Sequence, residues 1–315
     1  MSVLPKIAVI GTGLVGSGWA IVFARAGCTV ALFDAEAGAA ARARENIAER
    51  LGDLHDNALL DDPAGALDRI SVASDLAAAL DAAAYAQESV FERVDVKRSV
   101  FGEIDRVIGP STLVGSSSSG IPASAYTAHV KCRARCLVAH PVNPPYLAPI
   151  VELVPAPWTA PETMTSVRSL MERVGQKPVQ LAREIDGFLL NRLQAVLLME
   201  AWRLVDAGLA SVEDIDRTVK DGLGLRWSFM GPFETIDLNA PGGIADYARR
   251  LGPLYQQIAA STPEHAPWDE TIIAKVEAQR RELLPAEALG QRSVWRDQQL
   301  MALARHKQAM ERSKT

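Results

Sequence analysis

Three glycines near the amino terminus constrain the fold of this chain more than any other feature. Gly11, Gly13 and Gly16 follow a short apolar run and open a stretch with helical periodicity. This G-x-G-x-x-G spacing is typical of a dinucleotide-binding βαβ unit, in which the glycines permit a tight turn, close approach of a pyrophosphate and close helix–strand packing. The NH groups of the helix N-terminus, including those of Leu14 and Val15, would then face the phosphates.

An acidic residue after the second apolar run indicates which dinucleotide is bound. Asp34 ends the second predicted strand, where its carboxylate would accept hydrogen bonds from the adenosine ribose hydroxyls. A 2'-phosphate would be repelled, and Ala35 and Glu36 offer no arginine to compensate. We therefore expect NAD rather than NADP as the cofactor. The alternative is a structural βαβ unit that binds no nucleotide.

The order of apolar patterns along the chain predicts the fold class. The first half alternates short apolar runs with helical patterns, which is typical of a parallel sheet with crossover helices. After Gly187 only helical patterns and loops follow, and the apolar segment 188–205 predicts a long buried helix. We expect an α/β fold, with an N-terminal Rossmann-type doubly wound sheet over 1–187 and a C-terminal all-α domain over 188–315. The predicted strands are Lys6–Ile10, Thr29–Phe33, Ile70–Val72, Tyr85–Ser89, Leu113–Ser116, Cys136–Ala139, Val151–Val154 and Val179–Leu181; the predicted helices include Glu36–Leu51, Val94–Val107 and Pro161–Val174.

Charge and hydropathy exclude several classes of partner. The formal net charge is -5, so no basic surplus exists to neutralise nucleic acid or an anionic membrane. The apolar run near the start leads directly into glycines, unlike a signal peptide, and no run approaches the roughly 20 apolar residues that span a bilayer. We expect a cytoplasmic protein with a small-molecule substrate, no nucleic-acid partner and no membrane partner.

Two histidines and two cysteines lie close together in the sequence and resemble a compact zinc set: His129, Cys132, Cys136 and His140. Cys136 and His140, however, are four residues apart on or beside a predicted strand, which separates them by about 13 Å. That is too far to share one tetrahedral ion with bonds of about 2 Å. We expect no metal site and interpret Cys136 as a small core residue.

Four polar residues outside the glycine motif are candidates for chemistry: Ser119, His140, Glu152 and Asn191. Ser119 follows a predicted strand, where a Rossmann sheet exposes its functional loops. His140 follows another strand and enters the proline-rich loop 141–146, which would fix its side chain at the carboxyl edge of the sheet. A lone histidine is more often structural than catalytic, so this pattern alone leaves both interpretations open.

Longer motifs resemble those of the 3-hydroxyacyl-CoA dehydrogenase superfamily over essentially the whole chain. They are His140–Tyr146, Val151–Val154 and Gly187–Arg192. Within the superfamily, the chain is most similar to the branch that contains L-gulonate 3-dehydrogenase and lambda-crystallin. The features shared with that branch include Glu200–Val205, Gly222–Gly224 with Arg226, Gly231 with Pro232, and Trp295–Asp297.

The resemblance implies an NAD-dependent oxidation and a role for each of the four candidates. His140 would be the general base, Glu152 its carboxylate partner, Ser119 a hydroxyl donor beside the substrate oxygen, and Asn191 the amide that orients the reacting groups. An imidazole, with an ordinary pKa of about 6.5, suits the removal of an alcohol proton while hydride passes to a nicotinamide.

The resemblance also implies further cofactor contacts and an assembly state. Glu92 and Lys97 match positions near the nicotinamide ribose, although both could instead be solvated helix residues. The family further implies that the helical domain binds substrate and forms the interface of a homodimer.

Two departures from acyl-CoA enzymes bear on the substrate. Segment 51–62 is acidic here, where those enzymes carry a lysine-rich surface for the coenzyme phosphates, so a CoA thioester is disfavoured. Arg226 stands where they are apolar, and a guanidinium binds a carboxylate through two hydrogen bonds, although Arg226 could instead pair with a surface acid.

We therefore expect oxidation of the 3-hydroxyl of a free 3-hydroxy acid, of the type that converts L-gulonate to 3-dehydro-L-gulonate. L-Carnitine dehydrogenase and 3-hydroxyacyl-CoA dehydrogenase are the alternatives within the enzyme class. A catalytically silent NAD-binding protein, either structural like a crystallin or redox-sensing, is the alternative from a different class.

Overall fold

The structure is a computed structural model that describes residues 4–261 and 268–312. The described residues form two units. One contains the residues up to Arg192 together with those from Ser293 onward, and the other contains Leu193–Arg292. The predicted domains, 1–187 and 188–315, follow sequence pattern alone and stay a prediction. The units differ from them in two ways: the first unit extends to Arg192, and it also includes most of the last helix, from Ser293 onward.

An eight-stranded sheet forms the centre of the first unit, in the order β3-β2-β1-β4-β5-β6-β7-β8. Its strands are β1 (Lys6–Ile10), β2 (Thr29–Phe33), β3 (Ile70–Val72), β4 (Tyr85–Glu88), β5 (Leu113–Ser116), β6 (Cys136–Pro141), β7 (Ile150–Pro155) and β8 (Lys177–Gln180). Neighbouring strands are parallel except for β6 and β7, which are antiparallel. This topology confirms the predicted Rossmann-type doubly wound sheet.

Helices cover both faces of the sheet, because its central strands are apolar on both sides. Trp19 and Phe23 pack in a cluster with Ile7 and Val9, whereas Phe101 packs in a second cluster with the alternate strand residues. The helices of this part are α1 (Leu14–Arg25), α2 (Ala39–Asp56), α3 (Pro63–Asp68), α4 (Leu76–Leu80), α5 (Val94–Val107), α6 (Ser124–Thr127), a 3-10 helix (Lys131–Arg135) and α7 (Pro161–Arg173).

Most predicted bounds agree with the structure, and the differences have local causes. The first turn of α2 begins after Gly38, whose φ of +79° is left-handed, instead of at Glu36. Strand β6 extends beyond Ala139 because its antiparallel pairing with β7 continues through His140 and Pro141.

After Gly187 the described chain is helical, as predicted for the C-terminal domain. The helices are α8 (Leu190–Asp206), α9 (Val212–Arg217), a π-helix (Thr218–Leu223), α10 (Gly224–Trp227), α11 (Pro232–Leu238), α12 (Gly243–Ser261), α13 (Glu270–Leu283), a 3-10 helix (Ala286–Ala288) and α14 (Leu289–Arg312). Within the described ranges, no helix combines the length and the apolar character needed to cross a membrane.

The prediction of a buried helix over 188–205 is wrong for much of its apolar surface. Leu193 and Val196 are 70% and 67% exposed in the single chain. An apolar helical pattern identifies a face that avoids water, but it does not tell whether the same chain or a second copy covers that face.

Candidate active site

The glycine turn joins β1 to α1 and leaves open space for a ligand at one position. A Cβ on Gly11, whose φ is +87°, would lie 2.6 Å from the carbonyl oxygen of Ser89, and a Cβ on Gly16 would lie 1.9 Å from that of Gly11. A Cβ on Gly13 would meet nothing within 4 Å. The first and third glycines are therefore required by the fold, whereas the space over Gly13 suits a pyrophosphate.

The first turn of α1 presents unpaired backbone donors beside that space. The first hydrogen bond of the helix runs from the NH of Ser17 to the carbonyl oxygen of Gly13, at 2.9 Å. The NH groups of Leu14, Val15 and Gly16 consequently have no acceptor within the helix. Such NH groups, at the positive end of a helix dipole, bind phosphate.

Asp34 lies directly after β2 and faces the glycine turn. Its Oδ2 accepts hydrogen bonds from the NH and hydroxyl of Thr12, at 2.7 and 2.9 Å, and its Oδ1 accepts one from the NH of Glu36 at 3.0 Å. These bonds orient the carboxylate, whose remaining lone pairs can accept ribose hydroxyls. The guanidinium of Arg42, which lies near this carboxylate in the sequence, already forms an ion pair with Glu36. The arrangement fits NAD.

His140 and Glu152 are direct cross-strand neighbours in the antiparallel pair β6–β7. Nδ1 of His140 lies 2.7 Å from Oε2 of Glu152, and the two residues are 6% and 2% exposed. The Glu152 carboxylate accepts a hydrogen bond from the NH group at Nδ1, and this tautomer leaves the ring's lone pair on Nε2. Among the described residues, Nε2 has no hydrogen-bond partner. The ring of Phe188 lies beside the imidazole, with 5.8 Å between centroids.

The second oxygen of Glu152 anchors the start of α8. Oε1 accepts hydrogen bonds from the NH groups of Leu189 and Leu190, at 2.8 and 2.9 Å. Burial raises the pKa of the Glu152 carboxyl, but the hydrogen bonds from His140 and from these two NH groups outweigh it, so the pKa is lowered from its ordinary value. The ionised carboxylate therefore joins the histidine to the helix that carries Asn191.

Ser119 and Asn191 meet at the same edge of the sheet. The Nδ2 group of Asn191 donates a hydrogen bond to the carbonyl oxygen of Ser119 at 2.6 Å. Ser119 is exposed in the loop after β5, the strand that pairs with β6. The four candidate residues thus form two contacting pairs, which are connected because Glu152 holds the first turn of the helix carrying Asn191.

Glu92 contacts the Ser119 loop while its side chain stays 39% exposed, whereas Lys97 is enclosed beside it. Oε1 of Glu92 accepts hydrogen bonds from the Ser118 hydroxyl at 2.8 Å and from the NH groups of Ser119 and Gly120 at 2.8 and 3.1 Å. Nζ of Lys97 lies 3.5 Å from Oε2 of Glu92, and Lys97 is fully buried. The interpretation of Lys97 as a solvated helix residue is therefore wrong, because its ammonium is enclosed and ion-paired.

The sequence analysis missed Glu88, which ends β4. Both of its carboxylate oxygens lie 3.0 Å from Nζ of Lys97, and its Oε2 accepts a 2.5 Å hydrogen bond from the Ser116 hydroxyl. An acidic residue at the end of a strand predicted to be buried was the signal that could have identified it.

Cys132 and Cys136 are buried, and their sulfurs are 3.7 Å apart. Cys132 lies in a 3-10 helix and Cys136 begins β6. The contact with Cys132 and burial raise the pKa of the Cys136 thiol well above its ordinary value. In residues 4–261 and 268–312, no group of three His, Cys, Asp or Glu side chains could hold a metal ion.

Arg226 lies in α10 of the second unit, directly after the π-helix. Its side chain is exposed. No acidic group in the described part of the chain lies within salt-bridge distance of it. The guanidinium is therefore available for a ligand.

Comparisons with known proteins identify the family. Residues 6–185 match the family described as 3-hydroxyacyl-CoA dehydrogenase, NAD binding domain, and residues 187–282 match 3-hydroxyacyl-CoA dehydrogenase, C-terminal domain. Lambda-crystallin of Oryctolagus cuniculus is 39% identical over 313 residues, which cover 97% of both chains. L-Carnitine dehydrogenase of Pseudomonas aeruginosa is 34% identical over 302 residues, which cover 95% of this chain and 93% of that protein.

A solved structure supports the same assignment. It is described as 5-formyl-3-hydroxy-2-methylpyridine 4-carboxylic acid 5-dehydrogenase, an NAD+-dependent dismutase, and it is 27% identical with a TM-score of 0.81 over 98% of this chain and 99% of the other. These similarities confirm the resemblance indicated by the motifs. The chain belongs to the 3-hydroxyacyl-CoA dehydrogenase family and is an NAD-dependent dehydrogenase.

Proposed function

We propose that this enzyme oxidises the 3-hydroxyl of a free 3-hydroxy acid, as in the conversion of L-gulonate to 3-dehydro-L-gulonate. The observation that carries the proposal is the buried pair of His140 and Glu152, with Nδ1 and Oε2 2.7 Å apart, at the same sheet edge as Ser119 and Asn191. A protein that only binds NAD needs none of these four side chains. Their arrangement therefore favours catalysis over the silent NAD-binding alternative.

Oxidation of a secondary alcohol removes a proton from oxygen and a hydride from carbon. In our proposal, Nε2 of His140 takes the hydroxyl proton, because Nδ1 is committed to Glu152. The ionised Glu152 stabilises the imidazolium that forms, as the carboxylate of a catalytic triad does. Bound NAD supplies the hydride acceptor.

Ser119 and Asn191 would bind the substrate oxygen as it changes between alkoxide-like and carbonyl character. The Ser119 hydroxyl is exposed, and its backbone is held in place from both sides, by Glu92 on the NH and by Asn191 on the carbonyl. Loss of one such oriented donor typically lowers turnover about 10²–10³-fold.

The cofactor would lie along the sheet edge from Asp34 to Glu92. We assign the ribose of the adenosine to Asp34, the pyrophosphate to the turn over Gly13 and the first NH groups of α1, and the nicotinamide side to Glu92. Direct contact between Lys97 and NAD stays a prediction, and its full burial favours an effect exerted through Glu92.

Charge favours a free acid over a CoA thioester. The acidic side chains of segment 51–62 (Asp53, Asp56, Asp61 and Asp62) are exposed, so they would repel the phosphates of coenzyme A. We propose that Arg226 binds the substrate carboxylate, since its guanidinium is exposed and unpaired among the described residues. The similarity to an L-carnitine dehydrogenase makes L-carnitine, another free 3-hydroxy acid, the second candidate substrate.

A panel of alcohols tests the proposed reaction. We expect NAD reduction with L-gulonate to exceed that with L-carnitine, 3-hydroxybutyrate and 3-hydroxybutyryl-CoA, measured as kcat/KM by NADH absorbance. His140→Asn should lower kcat about 10²–10⁴-fold, because it removes the proton acceptor, while the Kd for NAD changes less than about threefold. Preferred turnover of the thioester would refute the free-acid assignment, and NAD binding without any turnover would favour the silent alternative.

A glycine substitution tests the pyrophosphate site. Gly13→Ala should leave the melting temperature unchanged, because φ at Gly13 is -65° and its Cβ meets no atom within 4 Å. The same Cβ would occupy the space assigned to the pyrophosphate, so the Kd for NAD, measured by fluorescence titration, should rise at least about tenfold. Gly52→Ala on α2, which also meets nothing within 4 Å, is the matched control. Wild-type affinity in Gly13→Ala would place the phosphates elsewhere.

Arginine substitution tests recognition of the carboxylate. Arg226→Met should raise KM for the hydroxy acid about 10–10²-fold, because a hydrogen bond to a charged group contributes about 1.5–3 kcal/mol. The Kd for NAD should not change. Arg249→Met, which removes another exposed arginine of the second unit, should leave steady-state kinetics as in the wild type. An unchanged KM in Arg226→Met would remove Arg226 from the site.

We also propose a homodimer formed through the helical part of the chain. The exposed Leu193 and Val196 of α8 supply an apolar face that a second copy would bury. Analytical ultracentrifugation at micromolar concentration should give the mass of two 33.9 kDa chains. The double variant Leu193→Glu/Val196→Glu should shift the protein to monomer, whereas Val107→Glu, at an exposed position of α5, should not. A monomeric wild type contradicts this assignment.

A further inference from the structure

Glu88 and Lys97 form an ion pair from which solvent is excluded. Both residues are 0% exposed, and Nζ of Lys97 lies 3.0 Å from each carboxylate oxygen of Glu88. Removing two charges from water costs about as much free energy as their attraction returns, and an apolar pair of similar volume is often at least as stable. Stability alone therefore does not account for this pair, and its connections indicate a different role.

One set of hydrogen bonds connects Glu88 to the strand before the Ser119 loop. Its Oε2 accepts from the hydroxyl of Ser116 at 2.5 Å, and that hydroxyl oxygen in turn accepts from the NH of Ser118 at 3.2 Å. Its Oε1 accepts from the NH of Val90 at 2.7 Å, in the turn that lies against Gly11. Glu88 therefore contacts two loops at the carboxyl edge of the sheet.

The ammonium of Lys97 provides a second connection to the same loop. It lies between Glu88 and Glu92, 3.5 Å from Oε2 of the latter. The other oxygen of Glu92 accepts hydrogen bonds from the NH groups of Ser119 and Gly120. Lys97 is thus the cation beside one oxygen of Glu92 while the other oxygen binds the loop, so the position of the ammonium bears on the position of the carboxylate.

We propose that Glu88 is a positioning residue, which holds the Ser119 loop in its reactive conformation through Lys97 and Glu92 on one side and through Ser116 on the other. Its consequence for turnover rests on the function proposed above. Because the carbonyl oxygen of Ser119 also accepts from Asn191, displacement of the loop would displace both groups assigned to the substrate oxygen.

Hydrogen exchange tests the positioning directly, without any assumption about the substrate. Glu88→Gln preserves the shape of the side chain but removes the charge that holds Lys97. We expect the backbone amides of Ser119 and Gly120 to exchange at least about tenfold faster in this variant. Thr112→Val is the matched control, because it removes a buried hydrogen bond to Ala83 at the opposite edge of the same two strands and should leave those amides protected. Unchanged protection in folded Glu88→Gln overturns the proposal.

Kinetics and a double variant separate positioning from simple stabilisation. At saturating NAD, Glu88→Gln should lower kcat about 10–10²-fold with KM for the hydroxy acid changed less than threefold, whereas Thr112→Val should lower the melting temperature without this change in kcat. Glu88→Gln should also lower the melting temperature, because it leaves the buried Lys97 ammonium without its nearest carboxylate. The double variant Glu88→Gln/Lys97→Met removes both buried charges, so its melting temperature should recover while its loop amides still exchange fast and its kcat remains low. Recovery of all three properties would show a merely structural pair and overturn the proposal.

If the wild type oxidises no alcohol in the panel, the proposed function fails, while the exchange measurement still decides the role of Glu88.

Discussion

The antiparallel register of β6 and β7 is the constraint on which the rest of the site depends. It places His140 directly opposite Glu152, and a slip of one residue would turn one of the two side chains to the other face of the sheet. Both faces of β6 are buried, so such a slip would disrupt the packing on each face and would leave the His140 or Glu152 side chain buried without its partner. The register also directs Glu152 toward the start of α8. There its carboxylate accepts hydrogen bonds from two NH groups that have no acceptor within the helix. One strand pairing thus orients the imidazole that we propose as the base and fixes the helix that carries Asn191.

The parallel part of the sheet brings the remaining groups to the same edge. Strands β1, β4, β5 and β6 are successive neighbours, and their carboxyl ends carry the glycine turn, Glu88, the Ser119 loop and His140. Neighbouring parallel strands end at a common edge, so a ligand lying across these ends would meet the proposed phosphate site and the proposed proton acceptor within a few strand spacings of about 4.8 Å each. The chemistry therefore follows from strand order, and the loops need only be held in place.

Local pattern was sufficient to predict much of this arrangement, and long-range pairing was not. Apolar periodicity gave the bounds of β1, β2, β3, β5 and α5, because each is a local property of a buried strand or an amphipathic helix. The partnership of His140 with Glu152 came only from family resemblance, since no periodicity shows that β7 runs antiparallel to β6. The burial of Lys97 could not be predicted from local pattern either, because its partner Glu88 lies on another element. The apolar face of α8 is exposed in the single chain, and the local sequence pattern does not tell what covers it.

Most polar atoms of the proposed site already form hydrogen bonds within the protein, so few remain to bind a ligand. Glu152 uses both oxygens within the protein, and Glu92 and Asn191 hold the Ser119 loop from opposite sides. Among the described residues of this edge, the groups left without a strong partner include Nε2 of His140, the Ser119 hydroxyl, whose contact with Glu92 is 3.4 Å, the second hydrogen of the Asn191 amide, and the first NH groups of α1. They comprise a proton acceptor, a hydroxyl, an amide donor and a set of NH groups that can bind an anion. Because the other polar atoms are already fixed, binding a substrate and a dinucleotide there requires little rearrangement, and that preorganisation is the condition under which oriented groups stabilise a developing charge most strongly.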